Sequence, residues 1–402
     1  MRKTSSLSLA LTLFLFTLSP GPAHPMQQGD QLKASGYLRS FATYSINPLT
    51  DSETAILETR IRLKLSGDLS SRISAELAYE LAPIWKENAP APPGQQIYQG
   101  FSYRAGDLKQ TLYPDDPHPG ETFMVNQNLD RAFVSYSGMS FDLHAGRQPI
   151  AFGSARSLNP TDVLAPYPLN TIAKEERIGV DALRLRVPLG QMSELDAGAV
   201  FGDDARTEES AAYLRLKGYA LGTDVSVMAM RFRKHSLYGL DLTRSIGGAG
   251  AWLETAHVFT NTTGDDYFSL STGVEYMFTD EFYAYIEYHR NGAGAGDKSE
   301  YPLNLLKVAY TEGGVYLMSM DYLAPGISYQ ASPLVGLGLS VIYNLEDSSA
   351  LISPTLEYNA SENVYIGLGG FVGTGDSGIL PGQGSEFGDY PDLLYASLSY
   401  YF

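Results

Sequence analysis

The sequence predicts an all-β chain that closes into a transmembrane antiparallel barrel, and three observations carry that prediction. Composition comes first: Tyr 28, Phe 17 and Gly 40, with only 18% charged residues and no cysteine, describe many strands and turns rather than a helical enzyme. Second, segments of about ten residues alternate apolar and polar side chains between clusters of Gly, Asn, Asp and Ser. Third, the connections alternate between tight and long, the pattern of a barrel with periplasmic turns at one rim and extracellular loops at the other. Length alone allows two or three soluble domains, but large all-β barrels run as one unit.

The start of the chain is set apart from this pattern. Arg2 and Lys3 form a basic region, Leu7 to Leu18 form an apolar core too short to span a bilayer, and Gly21 and Ala23 supply small residues before a cleavage. Residues 1–23 therefore read as a secretory signal peptide, leaving 24–402 as a single barrel domain. Removing Arg2 and Lys3 takes the formal charge from -17 to -17 - 2 = -19. That acidity argues against nucleic acid as a partner. Without cysteine there is no lipid anchor site, disulfide or CxxCH haem attachment, and no cofactor is implied. No later stretch approaches the roughly 18 consecutive apolar residues of a membrane helix. An exported acidic chain of this kind is a periplasmic binding protein, a secreted β-sandwich or an outer-membrane barrel.

The strands decide among them. In TRIRLKLSG, Ile61, Leu63 and Leu65 share one face of a period-two strand while Arg60, Arg62 and Lys64 share the other. DALRLRVPLG sets Leu183, Leu185 and Val187 against Arg184 and Arg186; YLRLKG sets Leu214 and Leu216 against Arg215 and Lys217. In YFSLSTGVEYMF, Phe268, Leu270, Val274, Tyr276 and Phe278 oppose Ser269, Ser271, Gly273 and Glu275. The full set of expected strands is 31–44, 54–67, 70–81, 129–137, 140–148, 179–188, 193–202, 208–218, 221–232, 235–246, 249–260, 267–278, 282–291, 319–331, 334–345, 350–359, 363–373 and 391–402. That makes eighteen, with sixteen as the alternative. The weakest is 319–331, because Pro325 lies inside it and PLNLLKVAYTEGG before it has the look of a short loop helix. The long connections run from Ala82 to Asn128, Pro149 to Ile178, Gly292 to Leu317 and Thr374 to Tyr390.

The last strand, LLYASLSYYF, places Leu394, Ala396, Leu398, Tyr400 and Phe402 on one face and runs to the final residue. It resembles the C-terminal strand of Gram-negative outer-membrane proteins. The resemblance implies that Leu398, Tyr400 and Phe402 form the signal read by the barrel assembly machinery, that the chain resides in the cell outer membrane, and that lipid and lipopolysaccharide surround it.

One connection stands out. HAGRQPIAFGSARSLNPTDVLAPYPLNTIAKEERIGVDALRLRV leaves a strand at Gln148, makes an excursion rich in Pro and Ala, and re-enters a strand at Gly179. So long a structureless segment is better folded into the lumen than left outside. GRQPIAFG, NPTDVLAP and IGVDALRLRVPLG resemble porin-like barrels of the alginate-export type and related proteobacterial porins, in which a GRQ strand end leads into a constricting segment. The resemblance implies a constriction here.

Arg147, Arg156, Lys174, Arg177, Arg184 and Arg186 cluster in and just after the excursion and form the expected anion-binding constriction. Arg60, Arg62, Lys64, Arg131, Arg215 and Lys217 are expected on the lumen wall. Guanidinium groups lining a narrow aqueous pore attract anions and pair with carboxylates bidentately. The plainer alternative has equal weight: Asp130, Glu175, Glu176 and Asp181 would hold these cations in a salt-bridged wall. The acidic pairs near Asp115, Asp203 and Asp265, with Glu208, Glu209, Glu346, Asp347, Glu386, Asp389 and Asp392, read as a solvated rim without metal-site spacing. The chain has no GxSxG, HExxH or P-loop motif, and His144, His235, His257 and His289 are each expected on a lumen face rather than in a catalytic set.

The reading is thus a porin, not an enzyme, passing small hydrophilic and preferentially anionic solutes. The rival is a barrel serving as a sheath around a periplasmic or lumenal protein partner, such as a multihaem cytochrome in an electron conduit. A loop packed across the lumen would favour the porin; a wide open lumen would favour the sheath.

Overall fold

The computed structural model describes residues 32–87, 103–118, 120–166, 169, 171–172, 176–378 and 382–402. The expected signal peptide, Lys174 and Glu175 lie outside the described residues. Nineteen strands occur among the described residues: β1 (Leu32–Ile46), β2 (Glu53–Ser70), β3 (Ile73–Glu87), β4 (Thr111–Tyr113), β5 (Phe123–Ser137), β6 (Asp142–Pro149), β7 (Gly179–Pro188), β8 (Glu194–Phe201), β9 (Ala211–Ala220), β10 (Thr223–Phe232), β11 (His235–Ile246), β12 (Ala249–Phe259), β13 (Tyr267–Met277), β14 (Phe282–Arg290), β15 (Asp321–Ser332), β16 (Val335–Asn344), β17 (Ala350–Ser361), β18 (Val364–Thr374) and β19 (Asp392–Tyr401). β4 is a three-residue strand laid against β5 inside a loop. The other eighteen form one antiparallel wall, each pairing with its neighbours in chain order.

Closure is made by the chain ends. β1 pairs with β19 from Tyr37 opposite Tyr401 to Ile46 opposite Asp392. Beyond the last strand residue, Gly36 N–H donates to the Phe402 carbonyl at 2.9 Å and Phe402 N–H returns to the Gly36 carbonyl at 3.0 Å. A closed wall leaves no unpaired edge, which is the condition for strands to cross a bilayer.

The faces invert the rule of a soluble protein. Leu63, Leu183 and Leu398 are each about half exposed, at 47%, 45% and 45%, while Arg62, Glu254 and Glu287 are buried. An outside that is apolar and an inside that is charged is stable only with hydrocarbon around it. Aromatic clusters mark both rims: Tyr238, Phe259 and Phe268 with His257 near the long loops, and Tyr276, Phe278, Phe282 and Tyr329 near the short turns. His257 is therefore on the lipid side and not on the lumen face expected for it. Its neighbours Trp252, Glu254, Ala256 and Val258 take the inward positions of β12, and the period of two leaves residue 257 outside.

β3 and β5 run longer than expected, whereas the strand holding Pro325 and the helical turns of PLNLLKVAYTEGG occur where the sequence reads them. β3 and β5 extend to Glu87 and back to Phe123, so the first long connection is shorter than the expected span from Ala82 to Asn128. The added residues, APIWKE and FMVNQN, do not alternate apolar and polar side chains, so the period-two signal is missing there. β15 accepts Pro325 because the β15–β16 pairing skips Ala324 and Pro325 and resumes in the same register at Gly326, so the missing N–H falls in a gap. PLNLLKVAYTEGG forms two single-turn helices, α1 (Tyr301–Asn304) and α2 (Val308–Thr311).

Two apolar clusters lie inside the barrel. Ile150, Phe152, Val163 and Leu164 of the connection between β6 and β7 pack on inward residues of β7 to β12, among them Val180, Val200, Met228, Leu237 and Val258. Each of these anchors contributes on the order of 1.5–3 kcal/mol by burial. Leu317, Tyr322, Leu351, Phe371 and Phe387 hold residues 291–320 and 382–391 to β15, β17 and β18.

Candidate functional site: the lumen and its constriction

Residues 150–166 of the connection between β6 and β7 fold into the barrel, and their path follows from what lines the wall. Near the long loops the inner faces of β7 to β12 are apolar and take Ile150, Phe152, Val163 and Leu164. Further along, β12 and β14 present the carboxylates of Glu254 and Glu287, and residues 154–161 lie on them. Thr161 N–H and hydroxyl donate to Glu254 Oε1 at 2.9 and 2.7 Å, and Ser154 and Ala155 N–H donate to Oε2 at 3.1 and 3.2 Å. Arg156 N–H donates to Glu287 Oε2 at 2.7 Å and Leu158 N–H to Oε1 at 3.0 Å. Gly153, at φ +90°, begins this stretch; a Cβ there would sit 2.5 Å from both Glu254 carboxylate oxygens.

Between this segment, residues 313–317 and the far wall lies a cavity of about 750 Å³, lined among others by Arg156, Arg177, Tyr285, Ser340, Thr355 and Tyr395. Arg156 is the most exposed of the loop arginines, its side chain 44% accessible. It pairs bidentately with Glu275, Nε and Nη2 each at 2.6 Å, and lies 5.3 Å from the Trp252 ring centre. Arg177 donates to Asp162 and to the Ala165 carbonyl. Burial pushes the Asp162 carboxyl above its ordinary range, and the Arg177 guanidinium beside it offsets only part of that.

The other described cations expected at the constriction do not join Arg156 and Arg177. Arg147 is buried and spends all five N–H donors: on Asp181 at 2.8 and 3.0 Å, on Asp107 at 2.8 Å, and on the carbonyls of Leu129 and Gly106 at 2.9 and 2.6 Å. It rivets the segment 103–108 to the top of the wall. Burial raises the Asp107 carboxyl, and hydrogen bonds from Arg104 and Arg147 outweigh it, leaving Asp107 below the usual carboxylate range.

Arg184 and Arg186 sit nearer the short turns, in two rungs across β7, β8 and β9. Arg184 binds Asp196 bidentately at 2.9 and 2.8 Å, and Arg215 reaches the same carboxylate at 2.6 Å. Arg186 and Lys217 share Glu194 at 2.5 and 3.3 Å. Two cations and one carboxylate per rung leave a net charge of +1 each. Elsewhere on the wall, Arg62 and Arg131 both meet Asp130 at 2.6 Å and also reach Glu176, Arg60 meets Glu58 at 2.5 Å, and Lys64 meets Glu76 at 3.0 Å. Every described cation of the expected constriction and wall is thus ion-paired. Leu398, Tyr400 and Phe402 face outward.

Three side chains that organise the lumen contacts escaped the sequence analysis: Glu254, Trp252 and the buried Asp196. The signal for the first was present, because Glu254 is a lone carboxylate among the inward apolar positions of AWLETAHVF. Glu386, expected on a solvated rim, is instead partly buried under its loop. It accepts from Met318 N–H at 2.9 Å, the Tyr322 hydroxyl at 2.5 Å and the Asn344 amide at 2.9 Å, and burial pushes its carboxyl up to about 7.

No family model matches the chain, and no curated protein matches it. Among solved structures the chain is similar to OccK5 (OpdH) of Pseudomonas aeruginosa, at 11% identity over 92% of this chain and 98% of that one, with a TM-score of 0.56. It is similar to OccAB2 of Acinetobacter baumannii at 10% identity and a TM-score of 0.57, and to OccK8 (OprE) of Pseudomonas aeruginosa at 10% and 0.56, each over 92% of this chain and 98% of the other. At these identities what the chain shares with them is the fold: a closed, transmembrane, eighteen-stranded antiparallel β-barrel.

Proposed function

We propose that the chain is an outer-membrane porin, a channel rather than an enzyme, through which small hydrophilic solutes diffuse passively with anions favoured. The observation that carries this reading is the segment 150–166 lying inside the barrel, with a cavity of about 750 Å³ beside it and the half-exposed guanidinium of Arg156 on its wall. A barrel that narrows itself suits selection of solutes by size and charge. The same segment speaks against a sheath, which needs the lumen for its partner. The net positive rungs at Asp196 and Glu194 add an attractive field for anions along β7 to β9. Export by the segment 1–23, recognition of Leu398, Tyr400 and Phe402 by the barrel assembly machinery, and contact with lipopolysaccharide belong to the same proposal.

The test is a planar-bilayer recording of the refolded chain under a salt gradient, with Arg156→Ala and Arg184→Ala alongside. A stable channel whose reversal potential favours anions, and less so in the variants, supports the porin. A correctly folded barrel that carries no current refutes it.

A further inference from the structure

Five consecutive backbone N–H groups, from Ser154 to Leu158, together with that of Thr161, point at just two side chains of the barrel wall. Those side chains are Glu254 and Glu287, both fully buried, on β12 and β14. A turn of successive N–H groups is an anion receptor, ordinarily built by a protein to hold a ligand. Here the receptor belongs to the loop and the anion to the wall. The arrangement reaches further through Trp252, whose indole N–H donates to Glu287 Oε2 at 3.0 Å while its ring faces Arg156. Glu287 therefore fixes both the backbone of Arg156 and the aromatic surface against which its guanidinium rests.

Resting on the porin reading, we infer that Glu254 and Glu287 are positioning residues that set the aperture, holding the segment 154–161 and with it Arg156 at the edge of the cavity. The apolar anchors Ile150, Phe152, Val163 and Leu164 keep the two ends of the segment inside the barrel, but its centre makes its polar attachments to the wall chiefly through these two carboxylates. Arg156 to Glu275, Ser154 to Asp241, Ser157 to Tyr285 and Ser271 to the Leu158 carbonyl are the side-chain contacts that supplement them. Removing the two negative charges leaves six N–H donors facing amide groups that accept on one side only. The centre of the segment is then free to swing toward the cavity or away from it.

The chain has no cysteine, so Ala155→Cys offers a single position for a spin label in the full-length protein. The label is immobilised in the parental background and becomes mobile in Glu254→Gln/Glu287→Gln. Gly153→Ala gives the second variant: it leaves the wall intact and drives a methyl onto the Glu254 oxygens from the loop side. Glu76→Gln, at a wall carboxylate paired with Lys64, is the control that changes lumen charge without touching the loop. In bilayers, the first two variants alter single-channel conductance by about two-fold, raise open-channel noise and shift the polymer size excluded from the pore, readouts that a mere loss of barrel stability does not move. A label equally immobile in all backgrounds overturns the inference, as does a mobile label with unchanged polymer exclusion. A parental barrel that conducts nothing refutes the porin reading, while the label still decides whether the two carboxylates hold the loop.

Discussion

At the scale of single residues, the arginines divide by what they touch. Arg147 has no donor left for a solute, so its guanidinium is structural. Arg147→Ala strands the Asp181 and Asp107 carboxylates and is expected to cost roughly 3 kcal/mol. Denaturant unfolding of the refolded barrel measures that loss, and the reversal potential should stay at its parental value. Arg156→Ala should do the reverse. Its side chain is half exposed and its partner Glu275 is 20% accessible, so stability changes by about 1 kcal/mol or less while anion preference falls. The GRQ of the sequence is legible in the same terms. Gly146 adopts φ +116° where a Cβ would strike the Ala132 carbonyl, and Arg147 and Gln148 just after it are both buried. Sequence pattern located where the strand gives way to the lumen loop. It did not reveal that Arg147 is consumed in making that junction, because its partners Asp107 and Gly106 lie about forty residues away in another loop.

At the scale of elements, strands were legible because each one buries nothing on its lipid side and so keeps strict alternation within the apolar band. The ends of β3 and β5, whose residues APIWKE and FMVNQN do not alternate, were not. Nor were the inward apolar positions Met228, Met230 and Leu237, since a lumen wall reads as polar until a loop is known to cover it. The rungs of β7 to β9 carry a prediction at this scale. Glu194 neutralises part of Arg186 and Lys217, and Glu194→Gln raises that rung from +1 to +2 without burying a new charge. Anion preference in the reversal potential should increase, and an unchanged potential would place the rung outside the conduction path. The loop 375–391 carries another. Glu386 ties it to Met318, Tyr322 and Asn344, its own N–H donates to Asp347 at 2.7 Å, and Asp347 adds a repelling charge nearby. Its folded pKa of about 7 lies above the ordinary carboxyl value, so the folded loop binds the proton more tightly than the unfolded one. That stabilisation is complete below about pH 4 and lost as the pH rises through the folded value. Protection of the Met318 amide, corrected for intrinsic exchange, should fall between pH 5.5 and pH 8.5, values chosen to bracket about one and a half units on either side of that midpoint. Glu386→Gln should remove the dependence.

At the scale of the whole molecule, the two ends of the chain must find each other before the wall has no edge. Phe402 takes part twice. Its backbone exchanges two hydrogen bonds with Gly36, and its ring lies over the same glycine, where a Cβ would come within 2.8 Å of it. The ring is 54% exposed on the lipid side, beside Tyr400 at 6.1 Å. Phe402→Ala keeps the backbone pairing and loses only the packing of an aromatic over a glycine, about 1 kcal/mol or less. Refolded into vesicles, the variant should therefore show nearly the parental denaturant midpoint. If the outward ladder of Leu398, Tyr400 and Phe402 is also the signal read during assembly, the same substitution should lower the amount of barrel reaching the outer membrane several-fold, far more than its stability explains. Equal amounts in the membrane would leave Phe402 a role in closure alone. A matching loss in both measurements would instead assign the whole effect to the seam between β1 and β19, where the last residue completes the ladder that the first strand begins.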